Sequence, residues 1–242
     1  ASLHLLPTLW FRNTWIWGCR HEEDCTTRPL ITLAGASRLR ADHETLGRFI
    51  LAFEAHPAGH LPPVLFTENE TNVQRLFGAP NSTPYTKDAF HEYVIQGNVA
   101  AVNPAQQGTK AAPYYRLTIG GHEQVQVRMR LCAEVEATDE PFAARFEDVF
   151  TRRQAEADGF YEQVIPKTLG PRAASLARQA YAGLLWSKQF YYYVVEDWLQ
   201  GDPNMPPPPP RRRHGRNSAW MDLFNRDVLS MPDKWEYPWY AA

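Results

Sequence analysis

The chain has 242 residues, 44% of them hydrophobic and 13% aromatic, with a formal net charge of −2. That length and composition suit one large or two ordinary domains with a packed core. Acids and bases are mixed along the chain, so no basic face marks a nucleic-acid binder, and no apolar run reaches the roughly 18 residues that would cross a membrane.

The three cysteines, Cys19, Cys25 and Cys132, are too few and odd in number for a disulfide framework and fit a reducing compartment. No basic start followed by an apolar run marks a secretory signal. The expected location is therefore the cytoplasm. The first residue is Ala1 rather than Met, so the natural start is expected further upstream. The sequons at Asn69 and Asn81 would matter only in a glycosylating compartment.

In chain order, "CRHEEDC" first gathers Cys19, His21 and Cys25. It lacks the paired CxxC-type spacing of a zinc site and reads as a surface loop, so no metal is expected. The first ~135 residues carry β signals. "LGRFILAF", "PVLF", "EYVIQG" and "NVAAV" read as short strands, separated by Pro, Gly and Asn. In "EQVQVRMRL", Val125, Val127, Met129 and Leu131 alternate with Gln124, Gln126, Arg128 and Arg130. Period-two alternation predicts an antiparallel strand with one buried face. "YYRLTIGG", ending in Gly120-Gly121, reads as its hairpin partner. Many short strands with such turns suggest a β-sandwich over 1–137.

Near Pro141 the period changes. Phe142, Phe146, Val149, Phe150, Ala157, Phe160, Tyr161 and Val164 recur mainly at helical spacing. Thr138 or Asp139 could cap this helix and Pro166 would end it, giving a helical linker over 138–170. A second helix is expected from about Pro171, with Pro tolerated in its first turn. It would run through "AASLARQAYAGLLWSKQFYYYVVEDWL" to Gly201. Its second half is apolar nearly all round, as in a helix buried on most sides within a larger assembly. The stretch 171–242 therefore reads as the beginning of an all-α domain. "NMPPPPPRRRHGRN" follows as a polyproline loop, and its PxxPxR run from Pro207 to Arg212 could serve as a ligand for an aromatic groove or simply as a stiff connection.

No nucleophile-elbow, phosphate-loop or dinucleotide fingerprint is present. Trp186, Lys188 and Gln189 interrupt an apolar helix with polar groups. Helix geometry alone leaves open a satisfied buried network or a helix that lines a polar pocket. Asp233 and Glu236 are three residues apart between Pro232 and Pro238. They could form a carboxylate pair of the kind glycosidases use, but pairing with Lys234 or nearby arginines is the plainer account. The segment "MPDKWEYPWY" holds Trp235, Tyr237, Trp239 and Tyr240. Such rings suit sugar C–H faces, and Asp233 and Lys234 could meet hydroxyls. Core packing by the same rings is the simpler alternative.

Several blocks, taken together, resemble bacterial glycoside hydrolases of the family 63-like group, relatives of processing α-glucosidases and mannosylglycerate hydrolases. They are "LLPTLWFRNTWIWG", "LFTENETN", "STPYTKDAFHEYVI", "RQAYAGLLWSKQFYYYVVEDWLQGDP" and "GRNSAWMDLFNRDVLSMPDKWEYPWYAA". The resemblance covers nearly the whole chain. It implies a β-sandwich followed by an (α/α)6 barrel whose cavity holds the active site, here present as its first helices. It also implies inverting hydrolysis of α-glycosidic bonds by two distant carboxylates. The general acid is expected just after Ala242 and the base further on, so the chain by itself would hold neither. Carried over onto this sequence, the substrate-binding residues are Trp186, Lys188, Gln189, Asp233, Lys234, Trp235, Tyr237, Trp239 and Tyr240, with Arg216 and Asn217 as weaker matches. The expected partner is an oligosaccharide or small glycoside, without cofactor, nucleic acid or membrane. A non-catalytic carbohydrate-binding sandwich is the alternative.

Overall fold

A computed structural model of the chain describes residues 1–18, 27–215 and 217–229, together with the backbone of Trp239 and Tyr240. It divides into two compact units. Unit 1 is Ala1–Ala143 with Pro203–Pro206, and unit 2 is Ala144–Asp202 with Pro207–Ala242.

Unit 1 is rich in antiparallel strands. In order they are β1 (Ser2–Leu5), β2 (Leu9–Trp10), β3 (Leu30–Leu33), β4 (Arg38–His43), β5 (Gly47–Phe53) and β6 (Val64–Thr67). Two short helices follow, α1 (Val73–Phe77) and α2 (Ala89–Gln96), and then β7 (Gln107–Gly108), β8 (Lys110–Pro113), β9 (Tyr115–Thr118) and β10 (Met129–Ala133). Three sheets result, in the orders β10-β5-β4-β3-β7, β2-β8-β6 and β1-β9.

Strand β6 explains how these sheets share a core. Phe66 joins Ile31, Leu39, Ala41, Leu51, Phe53 and Ala111 in one buried cluster, which takes residues from both the five-stranded and the β2-β8-β6 sheets. Its neighbour Leu65 belongs to a second cluster with Phe90, Ala112 and Tyr114. Consecutive residues of a strand point to opposite faces, so β6 and β8 are buried on both sides. That is why "VLF" reads as a continuous apolar run rather than an alternating one. Burying a side chain such as Leu39 or Phe66 is worth about 1.5–3 kcal/mol each. Beside β6, a Cβ on Gly108 would run into the carbonyl of Thr67, so only glycine lets β7 pass so close.

Several expected strands take other forms. "EYVIQG" lies in helix α2. Phe90, Tyr93 and Val94 fall at helical spacing and together cover the second cluster. Gly97 then ends the helix in the left-handed conformation, at φ 69, which costs glycine nothing. "NVAAV" forms a 3₁₀ turn over Val99–Ala101, where the Asn98 side chain accepts the Ala100 N–H. The strand expected over 123–131 begins only at Met129, and its partner is β5 rather than the "YYRLTI" run. That run forms β9, which pairs with β1 in register Ser2↔Thr118 to Leu5↔Tyr115. The Gly120-Gly121 pair opens a ten-residue connection over 119–128 instead of a tight hairpin. Alternation identified a strand, but it carries no information about which edge that strand meets.

Unit 2 holds α3 (Ala144–Val164), α4 (Pro171–Ser187), β11 (Lys188–Val194), α5 (Val195–Gln200), β12 (Phe224–Leu229) and β13 (Trp239–Tyr240). The first two helices fall where periodicity placed them, with Pro171 opening α4. The single helix expected from Pro171 to Gly201 is not observed. Helix α4 stops at Ser187, whose hydroxyl donates to the Leu184 carbonyl, and "KQFYYYV" continues as a strand. A run of aromatic and β-branched residues prefers the extended backbone, and β11 finds a pairing partner in β12. Unit 2 is therefore mixed rather than all-α. Among its described residues only Val195, Leu199, Asn225 and Val228 are buried, and neither α3 nor α4 has a buried residue.

The end of β5 is tied to the chain entering β10 by one charged contact. Glu54 accepts the Arg128 backbone N–H at 2.7 Å and its Nε–H at 2.7 Å. Burial alone would raise the Glu54 carboxyl, but the Arg128 side chain, its backbone N–H and its charge outweigh that and hold it below its ordinary value of 4.5. A carboxyl whose folded value is depressed contributes stability that is present above its unfolded value and is lost as pH falls through the folded one. Glu54→Gln is expected to lower stability by about 1 kcal/mol at neutral pH. The gap from the parent should close as pH is taken below 4.5. Urea unfolding at a series of pH values measures it, and a gap that stays constant to acid pH would remove the charge from the explanation.

Candidate functional site

Two places gather candidate side chains, and the first holds those singled out by the sequence. The first is the β11-β12-β13 sheet of unit 2. Trp186 lies in the last turn of α4 and is 81% exposed. Lys188 and Gln189 open β11. Lys188 pairs with Leu229 and Gln189 with Val228, while on the other side of β12 Trp239 pairs with Leu229 and Tyr240 with Val228. Two rows therefore cross the sheet, Lys188–Leu229–Trp239 and Gln189–Val228–Tyr240. Residues about fifty positions apart are brought into register by one central strand.

Val228 anchors the second of these rows, with 1% of its surface exposed. The neighbouring Asp227 lies 4.0 Å from Lys188 Nζ. Further along β12, Asn225 is buried and its Nδ2 has no hydrogen-bond partner among the described residues. Asn217, in the left-handed conformation at φ 68, donates from Nδ2 to the Tyr193 hydroxyl at 3.3 Å. Rings cluster around the same strands, with Tyr192 edge-on to Phe224 and Tyr193 edge-on to Trp198. Arg212 stacks over Trp198 at 4.8 Å, so the "PPPPPRRR" run ends on a ring of its own unit. Phe190, Tyr191, Trp220 and Phe224 remain exposed.

Asp233, Lys234, Trp235, Glu236 and Tyr237 lie outside the described residues, as do Arg216 and the whole Cys19–Cys25 loop. Among the described residues, no three His, Cys, Asp or Glu side chains converge as metal ligands would, and no helix is long and apolar enough to cross a membrane.

The second place is in unit 1 and follows directly from β6. As the chain leaves that strand, Glu68 Oε2 accepts both the backbone N–H and the hydroxyl of Thr109, at 3.0 and 2.7 Å. Asn69 Nδ2 donates to the Phe11 carbonyl at 2.8 Å, and Asn13 Nδ2 donates to the Asn69 carbonyl at 2.9 Å. Glu70, 8% exposed, accepts the Trp15 indole N–H at 3.0 Å and the Ser82 hydroxyl. Arg28 bridges the two carboxylates, 2.8 Å from Glu68 and 2.9 Å from Glu70, and lies over the Trp15 ring at 5.7 Å. Withdrawing a carboxylate from water is costly unless such charge-assisted partners answer it.

No sequence argument assigned Glu68, Glu70 or Arg28 a role. The available signal was "TENETN", two acids two apart leaving an apolar strand, where a wet loop would need no counter-charge and a buried one does.

No family model matches this chain, and no solved structure matches it. It is similar to the uncharacterized protein YMR196W of Saccharomyces cerevisiae, at 37% identity over 276 residues. That alignment takes in the whole of this chain and 24% of the yeast protein, so the chain spans about a quarter of that relative's length.

The Glu68 bonds make a separable prediction. Glu68→Gln keeps an acceptor for Thr109 and loses only the ion pair to a half-exposed arginine, expected to cost less than about 1 kcal/mol. Glu68→Ala leaves the buried Thr109 N–H and the hydroxyl proton without an acceptor, although the hydroxyl oxygen still accepts the Asn69 N–H at 2.7 Å, and is expected to cost about 1–3 kcal/mol. Equal losses in denaturant unfolding would mean that the ion pair, not the backbone clamp, holds this corner.

Proposed function

We propose that this chain is part of a glycoside hydrolase of the family 63-like group that cleaves α-glycosidic bonds of glucosides or related small glycosides with inversion. In this reading unit 1 is the sandwich domain of that enzyme and unit 2 contributes to the first part of its (α/α)6 barrel. The general acid follows "PWYAA" and the general base lies further along, so this chain supplies sugar contacts and not the two carboxylates. An inverting pair needs about 6.5–9.5 Å between carboxyl groups to admit the attacking water. Distant chain segments can meet such a spacing across a central cavity.

The observation that best supports this reading is the register of the β11-β12-β13 sheet. It aligns Lys188 and Gln189 with Trp239 and Tyr240, the residues that the motif resemblance marks as sugar contacts. Consecutive residues of a strand point to opposite faces, so the two rows lie on opposite faces of the sheet. Within one row, an ammonium or amide in register with an aromatic residue is the kind of pair that meets a pyranose's hydroxyls and C–H face. The thin core of unit 2 and its exposed rings suit a region that is completed by more chain. The similarity to a relative about four times as long is consistent with that. Two expectations follow for the acids of "MPDKWEYPWY": Asp233 and Glu236 serve as polar groups beside the sugar site, and neither donates the catalytic proton.

The test is hydrolysis by the 242-residue chain of α-glucosides, glucosylglycerate and mannosylglycerate. The expected result is no turnover above the uncatalysed rate. Turnover by this chain alone, abolished by Asp233→Asn or Glu236→Gln, would overturn the placement of the catalytic carboxylates outside it.

A further inference from the structure

We infer that unit 1 carries a binding pocket of its own for a small neutral polyol, of the size of a monosaccharide unit, beside Glu70. The pocket is a cavity of about 430 Å³, within the range of small-molecule sites, roughly 300–1,000 Å³. It is formed where "ENET", the Pro80–Ser82 turn and the Asn204–Pro206 segment meet, all within unit 1. Glu70, Thr71, Asn81, Ser82 and Asn204 supply its polar lining. Val73, Pro80, Met205 and Pro206 supply apolar walls.

The hydrogen-bonding capacity of that lining left unused among the described residues selects the ligand. Glu70 Oε1 already holds the Trp15 N–H and the Arg28 guanidinium, and Oε2 holds the Ser82 hydroxyl, which leaves one lone pair to accept. Thr71 Oγ1 accepts from Lys87 Nζ at 3.1 Å, so its own proton is left to donate. Asn81 accepts the Gln74 N–H and donates to Asn72 Oδ1, keeping one N–H. Asn204 donates one N–H to the Trp15 carbonyl at 3.0 Å and keeps its amide oxygen and second N–H.

The residual set is thus mixed, both donors and acceptors. A metal cation would satisfy only the acceptors, and Glu70, the group that would attract it, is already paired with Arg28. An anion would satisfy only the donors and would face the Glu70 carboxylate. Hydroxyl groups donate and accept at once, and a sugar ring also offers C–H faces to proline and methionine. Neutral polyols are the class that meets every wall. This pocket uses none of the residues assigned to hydrolysis, so it stands or falls separately from that reading.

The experiment is a titration of the isotopically labelled 242-residue chain with methyl α-D-glucopyranoside. The readout is the side-chain resonances of the Trp15 indole, Asn81 and Asn204, with magnesium chloride and sodium phosphate as parallel titrants. Saturable shifts at these three groups with the glycoside, and not with either salt, are expected. Asn204→Ala gives up the bond to the Trp15 carbonyl, so its cooperative melting is checked first; it should then weaken binding about tenfold, the loss of one or two hydrogen bonds. The absence of saturable shifts, the same shifts with either salt, or undiminished binding in Asn204→Ala would each overturn the inference. Binding requires no turnover, so a negative result here leaves the hydrolytic proposal untouched, and a negative hydrolysis assay leaves this one untouched.

Discussion

Strand β6 must be covered on both faces, and unit 1 is arranged around that requirement. Phe66 commits one face to the large cluster and Leu65 commits the other to α2. The backbone that emerges from such a strand starts in the interior, so its first polar side chains, Glu68 and Glu70, meet their partners before they reach water. Their charges are costly there unless answered, and Arg28, Thr109, Trp15 and Ser82 answer them. The same contacts draw together loops from four parts of the chain. The pocket beside Glu70 is a by-product of that convergence: polar groups that are mostly, but not fully, satisfied remain around a small cavity.

Unit 2 is built on a different balance. Its buried residues are few, and its order rests more on strand pairing and ring contacts than on a filled core. Helices α3 and α4 present aromatic and leucine side chains to their surface, among them Phe150, Phe160, Leu184 and Leu185. Large exposed apolar patches are uncommon on proteins that function without a partner surface. The β12 strand is the exception to the thin packing: Val228 is buried, and the two rows that cross it hold the groups proposed to meet a sugar. Rigid elements place side chains more accurately than loops do, so a strand register is an effective way to align Lys188 and Gln189 with the Trp239–Tyr240 pair.

The sequence revealed elements better than partnerships. The helix from Phe142 to Val164 and the start at Pro171 were legible because a 3.6-residue period is local. Strands "LGRFILAF" and "PVLF" were legible because runs of buried β-formers are local too. The hairpin expected between "YYRLTI" and "EQVQVRMRL" was not found, because pairing depends on which edges are free, and β1 and β5 took those strands. "EYVIQG" was misread as a strand although Phe90, Tyr93, Val94 and Gly97 already spelled an amphipathic turn with a glycine stop. "KQFYYYV" posed the opposite problem. It follows a strong helix without a breaker, and only its β-branched and aromatic content signals the change. For the site, the sequence pointed to Lys188, Gln189, Trp239 and Tyr240 separately, while their alignment is a property of the sheet. Arg28, Glu68 and Glu70 escaped notice because their importance comes from burial, which spacing does not reveal.

The proposal that this chain is part of an inverting α-glycosidase is tested most directly by stereochemistry. The yeast relative, which extends well beyond the region shared with this chain, can be incubated with an α-glucoside and the first product followed by proton NMR before mutarotation. The account predicts that the β-anomer of the released sugar appears first. Initial release of the α-anomer would contradict inversion, and no release from any α-glucoside, glucosylglycerate or mannosylglycerate would contradict the glycosidase assignment itself.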